Sequence, residues 1–73
     1  MVLSIKTVQT DNGDYSLSFS WFPRDPDSDS PERSILTLRE AGTLKPLQQI
    51  VTDDRELAAC AYTHPTVHFA KAI

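Results

Sequence analysis

Residues 15–21 read Tyr-Ser-Leu-Ser-Phe-Ser-Trp, a strict alternation of large apolar and small polar side chains. A period of two belongs to an extended strand, so this run places Tyr15, Leu17, Phe19 and Trp21 on one face of a sheet and three serines on the other. Upstream, Leu3, Ile5 and Val8 mark another strand, and Asp11-Asn12-Gly13-Asp14 between the two carries the Asn-Gly pair of a tight turn. The first element expected is therefore a β-hairpin.

Its register follows from matching apolar partners, because a one-residue slip exchanges the faces of a strand. A two-residue turn at Asn12-Gly13 pairs Ile5 with Ser20 and Lys6 with Phe19, mixing polar with apolar. A three-residue loop of Asp11, Asn12 and Gly13, with Gly13 left-handed in a bulge, pairs Ile5 with Phe19 and Leu3 with Trp21. The second register is the expectation. It collects Leu3, Ile5, Leu17, Phe19 and Trp21 on one face, and leaves Phe22 beside Ser16, Ser18 and Ser20 on the other.

Ser34 to Arg39 forms a third strand and Leu44 to Val51 a fourth, joined at Gly42, which offers a left-handed corner. A three-residue loop at 40–42 pairs Leu38 with Leu44 and Leu36 with Pro46. Pro46 donates no hydrogen bond to a ladder, so the fourth strand belongs at an edge or bulges there. Asp53 or Asp54 caps a short helix over about 54–63, rich in alanine, which ends near His64 because the residue before Pro65 is pushed out of helical geometry. Val67, Phe69 and Ile73 suit a terminal strand over 66–73, while Pro65 at a first helical position supports a second helix; the strand is the preferred reading. The fold class is α+β: an antiparallel sheet of two β-hairpins, with four or five strands and one short C-terminal helix.

A chain of 73 residues supports one domain, spanning 1–73. Its 40 % hydrophobic and 23 % charged residues match a folding chain rather than a disordered one. At this size a core contributes roughly 3–5 kcal/mol net, so a homodimer contact would help. Cys60 is the single cysteine, which rules out an internal disulfide and favours a reducing, cytoplasmic setting. The start, Met1 to Lys6, shows no export signal, and no apolar run approaches the roughly 18 residues that span a bilayer. A formal charge of −3 and scattered Lys6, Arg39 and Lys45 argue against nucleic acid as a partner.

Two constellations carry possible chemistry. From Pro23 to Ser34 the chain has three prolines and no apolar anchor, which reads as a long, mobile, acidic loop, either a working surface or a tether. Arg24, Asp25, Asp27, Asp29 and Glu32 of this loop, with the exposed aromatic Phe22, are the expected partner-binding residues. Cys60, His64 and His68 are spaced four and four, which on an unbroken helix would align a thiolate and two imidazoles as metal ligands. Pro65 breaks that helix and no fourth ligand lies nearby, so no cofactor is expected. Local sequence shows neither a nucleophile elbow nor a glycine-rich anion hole, and both glycines are assigned to turns. The expectation is a small non-enzymatic protein-binding module, an adaptor or inhibitor acting through a sheet edge, an aromatic patch and the acidic loop. The alternatives are a structural homo-oligomer subunit and a metal-binding unit at Cys60, His64 and His68.

Overall fold

A computed structural model describes residues 2–73. Four antiparallel strands, β1 (Val2–Thr10), β2 (Gly13–Phe22), β3 (Arg33–Glu40) and β4 (Pro46–Thr52), form one sheet in the order β1-β2-β3-β4. Two helices follow, α1 (Arg55–Thr63) and the single turn α2 (Pro65–His68). The α+β class expected from the sequence is the observed one, with four strands.

The first hairpin differs from the expected register. Thr10 pairs with Gly13, so the loop is Asp11-Asn12, one residue shorter than the expected three-residue loop and one residue earlier than the two-residue alternative. Thr10 Oγ1 accepts from the Asn12 N–H at 3.1 Å and donates to the Gly13 carbonyl at 2.9 Å, which closes the turn locally. Gly13 opens β2 at φ 129°, a conformation that a side chain would strain. Ile5 consequently opposes Ser18 and Leu3 opposes Ser20, while Ser4, Lys6 and Val8 share the face of Phe19, Leu17 and Tyr15. The apolar pair of β1 thus lies with the serines.

This exchange is permitted because α1 packs over β3 and β4, at the far side of the sheet from β1. Tyr15, Leu17, Leu36 and Leu38 form the core with Val8, Ala58, Ala61 and Phe69, and Phe19, Ile50, Tyr62 and Ile73 border it. Each fully buried leucine contributes about 1.5–3 kcal/mol by leaving water. From β1 this core takes Val8, near the turn, where Asn12 Nδ2 donates to the Ile73 carbonyl at 3.1 Å and ties the C-terminus to the hairpin. Lys6 needs no apolar neighbour: its ammonium stands 4.5 Å from the centroid of the Tyr62 ring.

The second hairpin is also shifted. Leu38 opposes Gln48 and Leu36 opposes Ile50, not Leu44 and Pro46, because the connection is longer than three residues and a bulge falls between Leu38 and Arg39. The left-handed corner belongs to Leu44, at φ 59°, rather than to Gly42; the Leu44 N–H donates to the Glu40 carbonyl at 2.8 Å. Pro46 opens β4 at the sheet edge beside that bulge, as its missing N–H requires.

Asp54 is the cap of α1: its carboxylate accepts from the N–H groups of Glu56 at 2.9 Å and Leu57 at 3.2 Å. The helix stops at His64, and Pro65 opens α2, so residues 66–73 form a helical turn and a tight terminal turn instead of a fifth strand. The apparent apolar period there misleads: Phe69 is fully buried, whereas Val67 is 70 % exposed. No helix of the described residues is long and apolar enough to cross a membrane.

Candidate functional site

With one face of the sheet covered by helix, the opposite face is open. Strand alternation and the pairing bring Leu3, Ser20, Ile35 and Val51 into one row that crosses all four strands. The next row is Ile5, Ser18, Thr37 and Gln49. The serines of β2 are short, so on this face a strip of small polar side chains, the floor of the face, separates Leu3 and Ile5 of β1 from the residues of β3. Leu3 is 61 % exposed, Ile5 65 % and Val51 57 %, values at which these residues do not belong to the fold's own core.

The floor is fixed by polar contacts. Ser18 Oγ donates to the Thr37 carbonyl at 3.4 Å and accepts from Arg39 Nη1 at 3.1 Å, and Gln49 Nε2 donates to Thr37 Oγ1 at 3.2 Å. Phe22 lies at one end of this face, half-buried, with the Arg33 guanidinium 4.9 Å from its ring centroid. On this face, from the Phe22–Arg33 pair to the Ser16–Arg39 pair, the charged side chains among the described residues are those two arginines. The chain as a whole carries −3, so its acids are concentrated elsewhere: at the first turn, in the 25–32 loop and around the start of α1.

That loop folds on itself. The Asp25 N–H donates to the Ser30 carbonyl at 3.1 Å, forming an isolated bridge, and Asp29 turns the chain at φ 54°. Asp25 serves this turn: the Asp27 N–H at 2.9 Å and the Ser28 hydroxyl at 2.8 Å hold its carboxyl below the usual range. Phe22, Arg24 and Asp25 line an open hollow of about 440 Å³ with Pro26 and Pro31. Asp27 and Asp29 are exposed at the tip.

Glu32 is engaged within the chain. Its carboxylate accepts from Nε and Nη2 of Arg55, the latter at 2.8 Å, and from the Trp21 indole N–H at 2.9 Å. The Arg55 guanidinium lies 6.0 Å from the Trp21 ring centroid. These donors, Arg55 foremost and then Trp21, hold the Glu32 carboxyl at about 2. The contact fastens the end of the acidic loop to the first turn of α1, and no local pattern in the sequence announces it, because its members are separated by 11 and 23 positions.

Of the six residues expected to bind a partner, the structure brings Phe22, Arg24 and Asp25 to one hollow, sets Asp27 and Asp29 in solvent and uses Glu32 as a clasp. Leu3, Ile5 and Val51 were outside that expectation; the expected register grouped Leu3 and Ile5 with Leu17, Phe19 and Trp21, on the face opposite Phe22. Cys60 is exposed within α1, His64 is exposed at the break between the two helices and His68 is half-buried at the end of α2, and among the described residues no group of three His, Cys, Asp or Glu side chains is placed to hold a metal ion. Comparison with protein-family models, curated proteins and solved structures finds no match to this chain.

Proposed function

We propose that this chain is a non-enzymatic protein-binding module, an adaptor or inhibitor, whose contact surface is the open face of the sheet, flanked by Phe22 and the acidic loop. The observation that supports it is the row Leu3–Ser20–Ile35–Val51, whose end members Leu3 and Val51 are more than half exposed while Ser20 and Ile35 between them are half-buried. Apolar side chains at more than half exposure on a rigid, polar-rimmed sheet gain stability only when something covers them. Arg33 and Arg39 select a partner surface that is apolar with carboxylates at its margin. Asp27 and Asp29, at the tip of the loop, discourage an acidic surface from settling on that side and so orient the partner. The single free Cys60 favours a reducing, cytoplasmic setting for this activity.

Capture from a lysate of the source cell, run in parallel with wild-type chain and with Val51→Lys, tests the reading. A stoichiometric protein held by the wild type and lost from the folded variant supports it. Equal capture by both chains overturns the open face as the contact surface.

A further inference from the structure

The sheet has two edges, and they are not alike. β4 begins with a proline and carries a bulge against Leu38 and Arg39, two devices that block the addition of another strand. β1 has neither: it runs nine residues, Val2 to Thr10, without proline and in unbroken register with β2. Its one charged side chain, Lys6, is turned to the helix side and lies over Tyr62. The helical layer is also incomplete on this side. An open hollow of about 300 Å³, lined by Ser4, Phe19, Ala59, Tyr62 and Thr63, adjoins β1. The radius of gyration, 12.9 Å, exceeds the roughly 11 Å expected for a compact chain of this length, in keeping with extents of 44 × 22 × 17 Å.

We propose that two copies of this chain join through β1, antiparallel about a two-fold axis at Ile5, into one continuous eight-stranded sheet. The occupant of the edge is a second copy because β1 is complementary to itself in that register. Ile5 then meets Ile5, Leu3 meets Thr7 and Ser4 meets Lys6, so apolar side chains from both copies gather on the open face and no like charges are opposed. Shifting the axis to Lys6 sets lysine against lysine, which disfavours that alternative. The outward N–H and C=O groups of residues 2–8 in both copies find partners, and the Leu3 and Ile5 side chains of the two copies become the centre of a single apolar surface. This pairing is independent of whether a different protein also binds the open face.

Sedimentation or light scattering across a concentration series provides the test. Wild type is expected at twice the chain mass, and Ile5→Lys, at a position 65 % exposed, is expected at the single-chain mass with its circular dichroism unchanged. Val51→Lys, on the far edge strand, is expected to keep the dimer; loss of the dimer in that variant with its retention in Ile5→Lys would identify a face-to-face pair and overturn the proposal. In a Cys60→Ser background, Ile5→Cys is expected to form a disulfide-linked dimer on mild oxidation, since directly opposed residues of paired strands lie within disulfide range. A wild-type chain that stays at single-chain mass throughout overturns the dimer and leaves the capture experiment above unaffected.

Discussion

The two faces of this sheet are built from the same strands yet obey different rules. On the covered face, Leu17, Leu36 and Leu38 are wholly removed from water and meet Ala58, Ala61 and Phe69. On the open face, Leu3, Ile5 and Val51 stand more than half exposed around a floor of serine and threonine. The first face holds the fold together; the second is surplus to it. A chain this small has little apolar surface to spare, and the side chains left outside the core on this face are the ground for the contact proposed above.

Substitutions separate the faces most sharply where the core is deepest. Phe69→Ala removes a fully buried ring that secures the C-terminal turn, and is expected to cost about 3–5 kcal/mol; Leu36→Ala is expected to cost about 2–5 kcal/mol. Either loss rivals the whole stability of a domain of this length. Urea unfolding followed by circular dichroism measures it, and a midpoint unchanged in both variants would mean that the covered face is not the core.

The helix that covers this face depends on its cap. Asp54→Ala leaves the N–H groups of Glu56 and Leu57 without their carboxylate and is expected to destabilise by about 1 kcal/mol, within a range of about 0.5–2. Asp54→Asn retains an acceptor oxygen and is expected to recover most of that loss in the same unfolding assay. Failure of the asparagine to do so would assign the effect to charge at the helix terminus rather than to the hydrogen bonds.

A smaller effect is expected at the clasp, and it depends on pH. The Glu32 carboxyl titrates at about 2 in the folded chain against 4.5 for a free glutamate, so its contribution to stability is complete above 4.5 and disappears as the pH falls towards 2. Glu32→Gln removes that titration. The stability difference between wild type and variant is therefore expected to be constant near neutrality and to shrink below about pH 4.5. A difference that persists unchanged at pH 2 would show that the Arg55 and Trp21 contacts do not act through the carboxylate charge.

The strands and the cap were legible in the sequence because each is a local pattern. The alternation of 15–21 specified β2, Pro46 marked an edge, and Pro65 stopped α1 at His64. The faces were not legible to the same degree. Register in the first hairpin hangs on where the loop begins, and Asp11, Asn12 and Gly13 all accept turn geometry. β1 itself carries Leu3 and Ile5 in one phase and Val8 in the other, so its pattern is compatible with either face. The choice was made at long range, by the position of α1 over β3 and β4 and by the C-terminal turn that buries Val8. The clasp of Glu32, Trp21 and Arg55 was hidden for the same reason.

The smallest expected effect is the one that tests the comparison most directly. Val51→Ser takes an exposed branched side chain off the open face, at 57 % exposure and outside the core cluster, so its effect on unfolding is expected to stay within about 0.5 kcal/mol. The same substitution is expected to weaken capture of a partner, because there the lost apolar area is area that binding would have removed from water. Stability and binding thus part company at a single residue if the two faces have separate tasks. Were Val51→Ser to destabilise the isolated chain as much as Leu36→Ala, the open face would be part of the fold's own support, and the contact proposed for it would fall.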